Sequence, residues 1–181
     1  MTTDEAVAVL SGLDPQSDEF RGVLSRLLGR VDPKKPYGAT LFDALARLTT
    51  SEAVEAVLVR WGADNQLEVY MTQRGSDEAY PNEWHLPGSI YRPGEDTADV
   101  MARLSQREFG CKITGWRQVD HFRHAEARGW FSAFVFMLEV EGEPRNARGA
   151  WYLVDNLPPN TVRHHVERII PAATAAFSGQ S

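Results

Sequence analysis

The chain has 181 residues, enough for one domain with a substantial core plus an extension, and its 19 basic and 25 acidic residues give a formal net charge of −6. No lysine- or arginine-rich run is present, which argues against a sequence-independent grip on nucleic-acid backbone but leaves a folded nucleotide pocket open. With neither a basic leader ahead of an apolar stretch nor an apolar run of about 20 residues, the expectation is a cytoplasmic protein that does not cross a membrane.

The first 50 residues read as three helices, Asp4 to Leu10, Ser17 to Leu28 and Thr40 to Leu48, punctuated by Asp14-Pro15 and a turn from Pro33 to Pro36. In the second, Phe20, Val23, Leu24, Leu27 and Leu28 share one face. That face is expected to be covered, by the main domain in the plainest reading, or as a homodimer contact or a lid. From Ser51 the period changes. Ala53 to Val59 and Leu67 to Thr72 are β-rich and flank Gly62-Ala63-Asp64-Asn65, which predicts a hairpin. A polar loop follows Gly75, and from Trp84 to Cys111 a glycine-containing loop feeds a short charged helix. Trp116 to Arg123 and Trp130 to Val140 read as strands around a polar turn from His124 to Gly129, and Ala150 to Val154 as the last strand. A helix from Thr161 to Phe177 closes the chain, with Val162, Val166, Ile169 and Ile170 as its apolar stripe and Pro171 as a kink or break. This order implies an α+β fold, helices over a mixed or antiparallel sheet, divided into a helical extension at 1–50 and a main domain at 51–181.

Within 84–111, Asp96 is the expected N-cap, Asp99 its capping-box partner and Gly110 the stop after Phe109. Val100, Met101 and Leu104 line one side of the helix, with Glu108 one turn beyond, and Asp99, Arg103 and Arg107 form a second stripe. A core-facing stripe and a solvated one account for much of this without any chemistry. The spacing carries more: Leu86-Pro87-Gly88, then Ser89, Glu95 six residues later, Arg103 eight after that, and finally Glu108 and Gly110. It resembles the Nudix box, G-x5-E-x7-R-E-U-x-E-E-x-G-U with U a bulky aliphatic, in a degenerate form over residues 88–111. Strands ending at Gln73-Arg74, the Trp84-His85 lead-in, and the Trp151 strand before Leu157-Pro158 and the last helix extend the resemblance over 53–172.

The resemblance implies a Nudix-like α/β/α sandwich with a mixed sheet. It also implies hydrolysis of a diphosphate linkage in a nucleoside-diphosphate-like compound, with Mg²⁺ or Mn²⁺ held by carboxylates of the box helix. It places Glu108 as the catalytic carboxylate and, with Gly88, at the metal; Glu95 and Arg103 complete the catalytic set as an ion pair tying loop to helix. Arg74, His85, Arg92 and Arg107 are the expected substrate contacts, Arg107 by offering its planar donor fork to phosphate oxygens. Two of the three carboxylate positions, however, hold Leu104 and Arg107, so the side-chain charge there changes from −3 to 0. Each lost attraction is on the order of 4 kcal/mol at 4 Å and an effective dielectric of 20, so the Mg²⁺ or Mn²⁺ site is expected to be weakened. The alternative expectation is a Nudix fold without efficient catalysis, serving as a nucleotide-binding or regulatory module.

Elsewhere, Trp116, Trp130 and Trp151 are expected in the core. His121, His124 and Glu126 are expected around a solvated turn, where some Nudix proteins place a further glutamate near the metal. His164 and His165 are expected on the surface. Cys111 is the only cysteine, which excludes an internal disulfide and reads as a small buried hydrophobe. Lacking Cys-x-x-Cys or a Cys/His cluster, the sequence predicts that any metal is held by oxygen.

Overall fold

The computed structural model describes residues 3–76 and 78–179, which divide into two compact units, Met1–Tyr37 and Gly38–Ser181. The first holds α1 (Thr3–Ser11) and α2 (Asp18–Leu28). Ser17 caps α2 by accepting the Phe20 N–H at 3.1 Å, and Asp18, Glu19 and Arg26 match the helix dipole. No residue of α2 is buried; on its apolar face Phe20, Val23 and Leu28 are half-buried and Leu24 and Leu27 exposed.

In the second unit, α3 (Ala39–Ala46) packs Phe42 and Ala46 with Ala53, Ile90 and Phe131. β1 (Thr50–Val57) and β2 (Val59–Trp61) then follow almost without interruption, yet the break at Leu58 sends them into different sheets. The hairpin forms between β2 and β3 (Leu67–Gln73), with Val59 opposite Val69, while β1 leaves to pair in parallel with β7 (Gly129–Glu141). Side-chain alternation runs straight through the break, with Val54, Ala56 and Leu58 in one cluster and Val57 and Val59 in another, so hydrophobic period alone cannot mark it.

One sheet has the order β5 (Gly88–Ile90), β1, β7, β6 (Lys112–Glu126) and is mixed, because only β1 and β7 run parallel. The other is built on β3, which pairs antiparallel with β2, β4 (Trp84–His85) and β8 (Gly149–Leu153). On one side, Val54, Ala56, Leu58 and Tyr70 meet Val100, Met101, Leu104 and Phe109 from α4 (Thr97–Leu104) and the π turn Ser105–Phe109 that continues it. On the other, Val57, Val69, Ala133 and Val135 meet Ile169, Ile170 and Ala173 from the π turn His165–Ile169 and α5 (Ile170–Ser178). Each such side chain, taken from water to full burial, contributes about 1.5–3 kcal/mol. The fold is α+β with a mixed sheet, as expected.

Three local expectations change. Pro171 does not break the last helix, because it falls in the first turn of α5, directly after the wider π turn. That turn rotates the helix phase, so His165 is buried at 2% exposure while Val166, expected in the stripe, is 39% exposed. Trp116 and Trp130 are 40% and 58% exposed rather than core. Trp116 follows the register shift between Ile113 and Gly115, which interrupts the alternation of faces, and Trp130 lies at the start of β7 beside the turn. Trp151 is half-buried, edge-on to Tyr70 with Arg60 over its face at 3.9 Å. No helix among the described residues is long and apolar enough to cross a membrane.

Candidate functional site

The loop-to-helix segment is fixed at both ends. Asp96 Oδ1 accepts the Asp99 N–H and Asp99 Oδ2 accepts the Asp96 N–H, both at 3.0 Å, which starts α4. Gly110 ends the π turn in the left-handed region with φ 63°, where only a residue without Cβ is unstrained. Ahead of the helix, Arg103 donates to Glu95 at 3.1 and 2.6 Å, to the Ile90 carbonyl at 3.0 Å and to Ser89 Oγ. Ser89, standing at the first glycine of the box pattern, thus gives Arg103 an extra acceptor. Arg92 contributes its backbone N–H, which donates to Glu95 at 2.8 Å. Burial raises the Glu95 pKa, but the Arg103 and Arg92 hydrogen bonds outweigh it and leave the carboxyl below its ordinary value.

The helix itself does not offer an oxygen shell. Leu104 is 1% exposed and packs into the core, so its position points away from solvent rather than toward a ligand as the resemblance implies. Arg107 is exposed. Glu108 is half-buried; burial raises its pKa and Glu78 adds to this, while Arg148, Arg74 and Arg107 oppose it. Mg²⁺ demands near-octahedral oxygen coordination, and Glu108 beside three arginines, with its neighbour Glu78 already paired to Arg74 and Arg148, does not fit it; the same holds for Mn²⁺. Gly88 is needed for a different reason: a Cβ there would lie 2.8 Å from the Val54 carbonyl and 2.9 Å from the Glu55 carboxylate.

On the sheet side that faces the last helix, a second group of polar side chains comes together. The lead-in strand is clamped to that helix: Val162 N–H donates to the Trp84 carbonyl at 2.8 Å, and Leu86 N–H donates to His165 Nδ1 at 2.8 Å. This draws His165, with its neighbour His164, toward Glu55, whose carboxylate is 3.8 Å from His165 Nε2. His85 lies 6.3 Å from His165 between ring centroids and bonds Thr72 Oγ1 at 3.0 Å. From β6 come His124 and Glu126, two residues apart and therefore on one strand face, joined at 3.0 Å. Glu126 also accepts from Arg128 at 3.0 Å. The His124 and His164 rings lie tilted against each other at 34°, with centroids 4.6 Å apart. Arg74 and Arg128 both hold their guanidinium carbons 5.8 Å from the Tyr80 ring.

The expectation of a solvated turn is therefore overturned: His121, His124 and Glu126 belong to β6, and Glu126 is 8% exposed in its side chain. His121 bonds Ser132 Oγ at 2.8 Å and stacks on Phe134. His164 and His165 are not surface residues, since the π turn carries them inward. Nor is oxygen the only donor available to a metal, for three imidazoles and two carboxylates converge here.

Burial and mutual charge shift the titrating groups of this cluster in opposite directions. Burial pushes the Glu55 pKa up to about 8, with the Glu126 charge adding and Arg74 and Arg128 opposing, so Glu55 is protonated at neutral pH. Glu126 goes the other way: burial raises it, but His124 and Arg128 bring it down to about 2. Burial, reinforced by His124, lowers His164 to about 4; burial and Arg74 lower His85 to about 3; burial and His164 lower His165 well below its ordinary value. Tyr80 is raised to about 12 by burial and by Glu126. Counting Arg74 and Arg128 as +1 each and their ion-pair partners Glu78 and Glu126 as −1 each, these groups balance. Among the described residues, the Nε–H groups of Arg74 and Arg128 are buried without an acceptor, and His124 Nδ1 is buried without a partner.

No family model matches the chain, and no curated protein matches it in sequence. Solved structures do match in shape. A MutT Nudix hydrolase from Burkholderia pseudomallei superposes with TM-score 0.58 at 20% identity, over 68% of this chain and 98% of that one. This chain has the Nudix fold. A MutT/Nudix family protein from Listeria innocua gives TM-score 0.58 at 15% identity, over 73% and 97% of the two chains. The Nudix domain of Shewanella oneidensis NrtR, crystallised with ADP-ribose, gives 0.56 at 18%, over 84% and 97%.

Placed on the Nudix fold, the expected site residues fall into separate roles. Glu95, Arg103 and the Arg92 backbone build the loop, and His85 is buried against Thr72. Arg74 stands between the two groups, its charge felt by both Glu108 and Glu55. Glu55 on β1 and Arg128 in the turn between β6 and β7 were missed, because isolated charges on a strand or a turn read as solvated until the elements packed against them are known.

Proposed function

We propose that this Nudix-fold protein binds a small anionic ligand of the nucleoside-diphosphate kind at Arg74 and Arg128, without Mg²⁺-dependent hydrolysis at the box helix. The observation that carries this reading is the box helix itself, where Leu104 is sunk in the core, Arg107 is in solvent and Glu108 faces arginines. Arg74 and Arg128 are partly buried and paired with Glu78 and Glu126, and among the described residues each keeps an Nε–H without an acceptor, the kind of donor a diphosphate takes. The ADP-ribose complex of the NrtR Nudix domain supports the ligand class.

Calorimetry with ADP-ribose tests it directly. Binding is expected to be equal with and without Mg²⁺ and to weaken about 10- to 100-fold in Arg74→Ala, the effect of losing a charge-assisted hydrogen bond of about 1.5–3 kcal/mol. Mg²⁺-dependent turnover that disappears in Glu108→Gln would overturn the reading in favour of a diphosphate hydrolase.

A further inference from the structure

We propose that His124, Glu126 and His164 form a binding site for a zinc-class divalent ion, with Zn²⁺ or Co²⁺ preferred over Mg²⁺. The site differs in place and donor type from the carboxylate site that the box pattern implies.

The geometry comes from two elements. His124 and Glu126 project from the same face of β6, and His164 comes from the start of the last helix, just ahead of the π turn. His124 Nε2 is 3.0 Å and His164 Nε2 is 3.9 Å from the same oxygen, Glu126 Oε1. One donor atom from each of the three lies within 4.8 Å of the others. Metal–ligand bonds of roughly 2.0–2.1 Å in a tetrahedral site separate donors by about 3.3 Å, so the observed distances straddle the required one. Small side-chain rotations close the set, and they leave at least one coordination position for an outside ligand.

The chemistry selects the ion. Two imidazoles and one carboxylate suit Zn²⁺ and Co²⁺, whereas Mg²⁺ takes oxygen almost exclusively. Arg128 holds Glu126 Oε2 at 3.0 Å and so orients Oε1 toward the ion, the role an outer hydrogen bond plays for a ligating carboxylate. The ion takes the place of the hydrogen bond between His124 and Glu126, and the neutral His124 then carries its proton on Nδ1. The neighbouring set of Glu55, His164 and His165 is excluded as the site: His165 Nδ1 accepts the Leu86 N–H, which leaves its Nε2 protonated and unable to coordinate.

The test uses the full chain, stripped with chelator and then titrated with Co²⁺ in excess Mg²⁺, following the visible d–d absorption of bound cobalt. One equivalent is expected to give bands that Zn²⁺ removes, with affinity reduced at least about tenfold in His164→Ala, whose partly exposed ring can be truncated without opening the core. Glu126→Gln is expected to weaken Co²⁺ binding likewise, and circular dichroism checks that both variants fold. Absence of bands, bands indifferent to His164→Ala, or bands lost instead in Glu108→Gln would each overturn the proposal. This reading concerns the same cluster as the proposed ligand site, but ADP-ribose binding is measured without Co²⁺ or Zn²⁺ and Co²⁺ binding without ADP-ribose, so failure of one and failure of the other are separate results.

Discussion

Arg103→Ala isolates the device that holds the loop onto the helix. Its side chain is 13% exposed and that of its partner Glu95 18%, so the pair is mostly shielded from water. Truncation removes two bonds to Glu95, one to the Ile90 carbonyl and one to Ser89, leaving Glu95 with only the Arg92 N–H. Breaking a buried pair by deleting one member costs about 3–5 kcal/mol, and the remaining solvent access reduces this to about 2–4 kcal/mol. With a urea dependence of roughly 2 kcal/mol per M, the unfolding midpoint falls by about 1–2 M. Urea titration followed by circular dichroism measures the midpoint, and amide exchange over residues 88–96 reports whether the loop is loosened. Arg103→Lys, which keeps the charge but loses the fork, should fall between wild type and alanine. A midpoint within about 0.3 M of wild type, with loop exchange unchanged, would refute the view that this pair organises the segment.

Other perturbations follow from the same coordinates. Glu55, with its folded pKa raised to about 8 from 4.5, contributes stability that is complete below pH 4.5 and is lost as pH rises through 8. The stability advantage of Glu55→Gln over wild type should therefore grow by about 1.4 kcal/mol per pH unit in that window, read from denaturant melts in chelator; a constant difference across pH contradicts the shift. Gly129→Ala would drive a Cβ into the Ala46 carbonyl at φ 144°, so a loss above about 2 kcal/mol in a thermal melt is expected, and a neutral result contradicts that packing. His165→Phe leaves the buried Leu86 N–H without its acceptor and should cost about 1–3 kcal/mol by the same melt.

Where sequence reasoning succeeded, the determining interactions were local. The Asp96–Asp99 capping box, the Gly110 stop and the Glu95–Arg103 pair all lie within a short span of chain, and the residues name their own partners. Where it failed, the partner came from far away or the period was not regular. Leu58 sits in unbroken alternation, so nothing local shows that the chain changes sheets there. His124 and Glu126 have the polarity of a turn, and only the β6–β7 pairing, which runs to Glu126 opposite Gly129, shows that they are strand residues. His165 was expected on the surface because it stands at the start of the last helix, but the π turn that begins at this residue places it in the core. At Leu104 the two sequence signals disagreed: the box pattern assigns the position to a ligand-facing side, while the apolar stripe of Val100, Met101 and Leu104 points to the core, and the core is where it lies.

The π turn at His165–Ile169 also bears on how the chain tolerates insertions and deletions. One residue fewer in that turn would restore ordinary helical phase for everything ahead of it, rotating the preceding residues by about 100° about the axis. Val166 would then compete for the buried position and the imidazole pair would swing away from Glu55 and Glu126, while the residues from Ile170 onward kept their places in the core. The polar group beneath the sheet thus depends on chain length at a single turn as much as on which residues are present, and its histidines could be lost without any of them being substituted.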